Sequence, residues 1–206
     1  MSASAAAPAA GLGHVAIDIE SINPYNSEGV FAIAITHSAD PQDAVVIYLP
    51  PCCQGNPSTI EWWSGDPARK AFLGLGLARA TLNTRREAAA QLRAEIDDLY
   101  AKFPAGLVFH ADCALFDLGQ CDALLAQHGF LPTYMRKAGE APGEFTDYTV
   151  VAKAKAGLDI VEGKTDDAFA KLGLQREPRA DNHDPVVDIV GIWKEAVAVW
   201  GAKTVV

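Results

Sequence analysis

The sequence predicts a mixed α/β domain, with a central sheet of mixed strand direction and helices packed against it. Three observations lead there. Val15, Ile17 and Ile19 alternate with His14, Ala16, Asp18 and Glu20, the period of a β-strand. Two further strand-like runs, 30–37 and 44–49, follow across short turn sequences, which predicts an antiparallel meander of three strands. Beyond residue 60 the apolar period lengthens to that of helices, interrupted by one short buried run at 105–109. The order β-β-β-α-β-α…α fits a single domain over residues 13–206, preceded by a flexible Ala-rich tail at 1–12.

Each helix carries its own boundary signals. Ile60-Glu61-Trp62-Trp63 opens a short helix that Asp66-Pro67 breaks or restarts. Thr84-Arg85-Arg86-Glu87 has capping-box spacing, and Leu92, Ile96, Leu99 and Phe103 recur on one face until Pro104. Leu115, Leu118, Cys121, Leu125 and His128 trace the apolar stripe of a second helix, closed by Gly129. Residues 130–165, rich in Gly, Pro and charge, show no clear period. A short helix follows near 166–172, and a last one starts at the N-cap Asp184 with Pro185 at N1 and runs to about Trp200.

Composition excludes several classes. Half of the 206 residues are hydrophobic, too many for a disordered chain. No uncharged apolar run approaches the ~18 residues of a membrane span. With 26 acidic against 17 basic residues the net charge is −9, which disfavours a broad, charge-driven grip on duplex nucleic acid. The four cysteines lack metal-knuckle or redox spacing, and residues 1–10 lack a basic start and a Leu- or Val-rich middle, so a cytoplasmic protein is expected.

Acidic residues fall into three clusters. Asp18 and Glu20, two apart on a strand, project from one face among apolar neighbours. A divalent cation would compensate them; the alternative is the solvent face of an edge strand. Asp117 lies in the first turn of a helix that follows a buried strand, where free N–H groups favour a carboxylate. His183 precedes the last helix and Asp188 lies one turn inside it, so imidazole and carboxylate can converge on one point.

Asp-x-Glu, an Asp about 100 residues later, and His-x4-Asp near the end together resemble the DEDDh superfamily of 3′–5′ exonucleases, which share a ribonuclease H-like fold. Thr59-Ile60-Glu61-Trp62-Trp63 and Ala114-Leu115-Phe116-Asp117 are similar to segments of its phage and bacterial exonuclease-exoribonuclease branch. The resemblance spans roughly residues 13–200. The third motif departs from the family pattern at Asp184-Pro185, and the second carries His110 and Asp112 where relatives often have Trp and Asn.

The resemblance implies that Asp18, Glu20, Asp117 and Asp188 hold two Mg²⁺ (or Mn²⁺) ions, with His183 as the base for the attacking water. It implies release of 5′-nucleoside monophosphates from single-stranded 3′ ends of DNA or RNA, and homodimers are frequent among relatives. Ser21 would offer its N–H or hydroxyl to the terminal ribose. Trp62 and Trp63 point ~100° apart on a helix, so one is expected in the core and the other at the site. Arg136, Lys137, Lys153 and Lys155 are candidate phosphate contacts, with a solvated face as their alternative. Other readings are an oligonucleotide or dinucleotide phosphodiesterase, a non-catalytic interaction module that keeps the fold, and a thiol redox protein based on Cys52-Cys53.

Overall fold

The computed structural model describes residues 11–135, 143–177 and 184–202. Residues 1–10 of the expected tail, the candidates Arg136 and Lys137, and His183 lie outside the described residues. The strands are β1 (Gly13–Ser21), β2 (Val30–Thr36), β3 (Val45–Tyr48), β4 (Leu107–Ala111) and β5 (Glu144–Asp147). The helices are α1 (Pro57–Ser64), α2 (Pro67–Ala80), α3 (Arg85–Lys102), α4 (Ala114–Gln127), α5 (Tyr148–Lys155), α6 (Thr165–Leu172) and α7 (Pro185–Gly201).

The sheet has the order β3-β2-β1-β4-β5. β1, β2 and β3 form the expected antiparallel meander, and β4 and β5 extend the other edge of β1 in parallel. Parallel pairs need long crossovers, and helices supply both. A three-stranded meander continued by two parallel strands in this order, with helices on both faces, is the ribonuclease H-like fold.

Strand parity builds the two faces. Val15, Ile17 and Ile19 of β1 and Leu107 and Phe109 of β4 point into one core with Leu92, Ile96 and Leu99 of α3 and Leu118, Cys121 and Leu125 of α4. Ala16 and Ala34 face the other way, beneath Ile189, Ile192 and Ala196 of α7, with α5 and α6 beside them. Small residues on this face let α7 lie close to the strands. A third cluster, Ile22, Phe31, Ala32 and Trp63, ties α1 and α2 to the open side of the meander.

Local chemistry sets the helix ends, as expected at Thr84 and Asp184, while α1 starts at Pro57 rather than Ile60 and α5 starts at a cap the sequence does not announce. Both bonds of the Thr84–Glu87 capping box form, and Asn56, Asp66 and Asp147 each accept from two backbone N–H groups of the helix they start. The run 130–165, without a clear period in the sequence, contributes β5 and α5. Leu115, expected on the apolar stripe, is 95% exposed. It belongs to the first turn of α4, and Phe116 and Leu118 meet the core instead.

The Trp pair is resolved. Trp63 is fully buried and its Nε1 donates to the Ser21 carbonyl at 3.0 Å, whereas Trp62 is 45% exposed with the Arg69 guanidinium 4.2 Å from its ring centroid. Phe31 sustains this arrangement. Ser21 pairs with Val30 and Glu20 with Ala32, so Phe31 is the additional residue of a β-bulge. The bulge places it against Trp63 and Phe72. Gly76 of α2 permits the contact, because a Cβ there would stand 2.7 Å from the Phe31 ring. Trp63→Ala should therefore cost about 3–5 kcal/mol of stability, and Trp62→Ala, at an exposed position, within about 0.5 kcal/mol. Urea denaturation checks the pair, and equal losses would contradict the assignment.

Candidate metal centre

Four elements deliver carboxylates to one place. Asp18 and Glu20 project from the C-terminal half of β1 onto the face that α7 covers. Asp112 follows β4 directly and continues the parity of His110, which puts it on that same face. Asp117 enters from the first turn of α4, and Asp188 from the first turn of α7. Asp184 caps α7 through Val186 N–H at 3.0 Å, and its carbonyl accepts from Asp188 N–H at 2.9 Å, which fixes the turn that presents Asp188.

Carboxylate oxygens of Asp18, Asp112 and Asp117 all lie within 4.8 Å of one another, a grouping able to hold a metal ion. Glu20 is buried, and burial raises its carboxyl well above the usual range, helped by the charges of Asp18, Asp188, Asp117 and Asp112 in that order. Asp117 is pushed up to about 9, first by burial and then by Asp18 and Asp112, while backbone hydrogen bonds with Cys113 and Ile19 pull it partly back. Its Oδ2 is buried without a hydrogen-bond partner. A buried, unsatisfied carboxylate oxygen costs several kcal/mol, and an oxygen-loving divalent cation satisfies it together with its neighbours. The donor set, all carboxylate, fits Mg²⁺ or Mn²⁺.

The structure thus brings Asp18, Glu20, Asp117 and Asp188 together and adds Asp112, which in the sequence is only a departure from the family motif. Its signal was available: it is the first residue beyond a buried strand, at the carboxyl ends where sites of open α/β sheets form. Ser21 adjoins the cluster, but its hydroxyl donates to the Asn23 carbonyl at 2.7 Å and accepts from Asn23 N–H, closing a turn. Asp147 caps α5. Lys155 is committed elsewhere, its Nζ bonded to the carbonyls of Val199, Trp200 and Ala202 at the end of α7, and Lys153 bonds the Ile160 carbonyl.

His110 has a structural role. It is buried, its Nε2 lies 2.8 Å from His14 Nδ1, and its Nδ1 lies 2.6 Å from Thr146 Oγ1. Burial, then His14, lowers its pKa to about 3, so it stays neutral. Trp200 stands edge-on to both rings, and Trp193 donates to the His14 carbonyl at 2.9 Å. Cys52 and Cys53 form no disulfide.

Fold and carboxylates together define a ribonuclease H-like domain with a candidate divalent-metal centre, an arrangement compatible with metal-dependent phosphodiester hydrolysis. Among solved structures, a Thermus thermophilus RuvC structure matches 93% of this chain and 99% of its own, at 13% identity and a TM-score of 0.30, a likeness too weak to carry an argument. No protein-family profile matches the chain, and no curated protein does. No helix among the described residues is long and apolar enough to cross a membrane.

The raised carboxyls fix the sign of the pH dependence. Glu20 and Asp117 hold protons more tightly folded than unfolded, so without metal, stability falls as pH rises from about 4, where the unfolded groups ionise, towards about 9, where folded Asp117 does. Thermal melting should show Tm falling over that range in chelator, and Mg²⁺ or Mn²⁺ should raise Tm increasingly towards high pH. Asp117→Asn should raise the metal-free Tm at pH 8 and blunt the response to metal. A metal-independent Tm that climbs with pH would contradict the electrostatic account.

Proposed function

We propose that the chain is a metal-dependent 3′–5′ exonuclease that hydrolyses phosphodiester bonds at single-stranded ends of DNA or RNA and releases 5′-nucleoside monophosphates. The single observation that carries this reading is the buried Asp117 carboxylate, whose Oδ2 has no hydrogen-bond partner, grouped with Asp18 and Asp112 and close to Glu20. The order of the acidic motifs supports the DEDDh branch in particular.

In this reading Asp18, Glu20, Asp117 and Asp188 would hold two Mg²⁺ or Mn²⁺ ions, with the exposed Asp112 as a further ligand. Bound there, the metal would supply a Lewis acid for the phosphate and an acidified water. His183 would serve as the general base that accepts a proton from the attacking water, the role the family resemblance implies. Trp62, half-exposed beside Glu61 on α1, offers a face to the terminal bases, while Trp63 holds the end of β1 in place by its bond to the Ser21 carbonyl. Ser21 contributes to the ribose pocket through its backbone. A cytoplasmic setting fits the cysteine spacing, and a homodimer fits the family resemblance.

A 5′-labelled single-stranded oligonucleotide, as DNA and as RNA, tests the reading. Mg²⁺ or Mn²⁺ should produce a ladder shortening from the 3′ end. Chelator should abolish it, and Asp18→Ala or Asp117→Asn should slow it on the order of 10³-fold, the loss of several kcal/mol of transition-state stabilisation. His183→Ala should lower kcat with little change in KM. Intact substrate in both metals would refute the proposal, and internal cuts without a 3′ ladder would refute its directionality.

A further inference from the structure

In this acidic chain α2 is basic and free of acids, and it borders a groove. From Pro67 to Arg86 there is no Asp or Glu, while Arg69, Lys70 and Arg79 lie on α2. Between α2 and the first turn of α7 is a cavity of about 650 Å³, walled by Ala68, Ala71, Phe72 and Leu75 on one side and Asp184–Val186 on the other. Val46 and Tyr48 form its floor. Arg79 closes one end: its Nη1 donates to Tyr48 Oη at 3.0 Å and its guanidinium lies 5.3 Å from the Tyr48 ring centroid. The first cation–aromatic pair of α2, Arg69 over Trp62, stands roughly 15 Å along the same helix from Arg79.

Sheet register ties the groove to the carboxylates. Glu20 pairs with Ala32 and Ala32 with Tyr48; Asp18 pairs with Ala34 and Ala34 with Val46. Tyr48 and Val46 are thus on the face of Asp18 and Glu20, two strands away, roughly 10 Å. On the opposite wall, Pro185 and Val186 precede Asp188 by less than one turn of α7.

We propose that this groove is a second nucleotide-binding site, which takes a base and phosphate of the strand upstream of the scissile nucleotide. The inference rests on the nuclease reading and deepens it. The base inserts between the Tyr48 floor and the Phe72–Leu75 wall, where apolar and aromatic surface accepts any base. The Asp184 carboxylate offers an acceptor to an exocyclic amino group. Arg79, exposed at the rim and pre-oriented by Tyr48, receives the phosphate. A dinucleotide is too short to fill both sites, so the groove makes the enzyme prefer longer strands. It also reconciles a net charge of −9 with a polyanionic substrate, because the acid-free, basic α2 lies where the strand passes.

The test compares an eight-nucleotide single strand with a dinucleotide, using the full chain, Ala71→Trp to plug the groove from an exposed helical position, and Arg79→Gln. Each variant should lower the octamer-to-dinucleotide ratio of kcat/KM about tenfold, the scale of one stacked base. Lys171→Gln, the same charge change on α6, should leave the ratio unchanged. Fluorescence anisotropy with the labelled octamer in Ca²⁺ should show the same tenfold weakening. An unchanged ratio in both variants overturns the groove assignment. If wild type cleaves neither substrate, the nuclease reading fails and the groove is judged by anisotropy alone: tenfold weaker binding in Ala71→Trp sustains it, unchanged binding removes it. Loss of a dimer in Ala71→Trp, with octamer affinity intact, would instead assign the groove to a second copy of the chain and overturn the proposal.

Discussion

Carboxylates repel one another, and burial makes the repulsion worse, yet this fold gathers Asp18, Glu20, Asp112, Asp117 and Asp188 at the ends of its central strands. In water such a group would disperse. Here the backbone forbids it: β1 and β4 are locked in parallel register, α4 leaves β4 after a two-residue turn, and the cap at Asp184 fixes the start of α7. The molecule resolves the repulsion by holding protons, hence the raised Glu20 and Asp117, or by accepting divalent cations. The central elements converge on this one crowded point, which ties the charge state of the site to the stability of the fold.

The remaining packing supports that convergence. Alanines at 16 and 34 bring α7 down onto the sheet, so Asp188 comes within reach of Glu20. On the opposite face, α3 and α4 bury their apolar stripes against β1 and β4, which anchors Asp117 from behind. The bulge at Phe31 seats Trp63 beneath the end of β1, and α2 follows close behind through Gly76. The same shift that secures the strand carrying Glu20 leaves the groove beside α2. Site and groove are consequences of one packing arrangement.

Much of this was legible in the sequence because it depends on local physics. Period-2 alternation placed Asp18 and Glu20 on one face, the Thr84–Glu87 spacing fixed the start of α3, and Asp184-Pro185 marked the start of α7. What escaped depends on tertiary contact. Asp112 joins the cluster only because β4 pairs with β1. The His14–His110 contact needs two residues 96 apart to meet across that same pairing. No Gly or Pro announces the bulge at Phe31. Which tryptophan is buried follows from where α1 docks, and Leu115 kept the helical period while facing solvent because a first turn can overhang its core.

The central claim is that the carboxylate cluster is a divalent-metal centre. A crystal soaked in Mn²⁺ and measured for anomalous scattering tests it most directly. The account predicts an anomalous peak at metal–oxygen distance, about 2.0–2.2 Å, from Asp117 Oδ2, shared with Asp18 and with further carboxylates of the cluster. Absence of any peak among these carboxylates at millimolar Mn²⁺, with Asp117 and Glu20 protonated and hydrogen-bonded to each other, would contradict it.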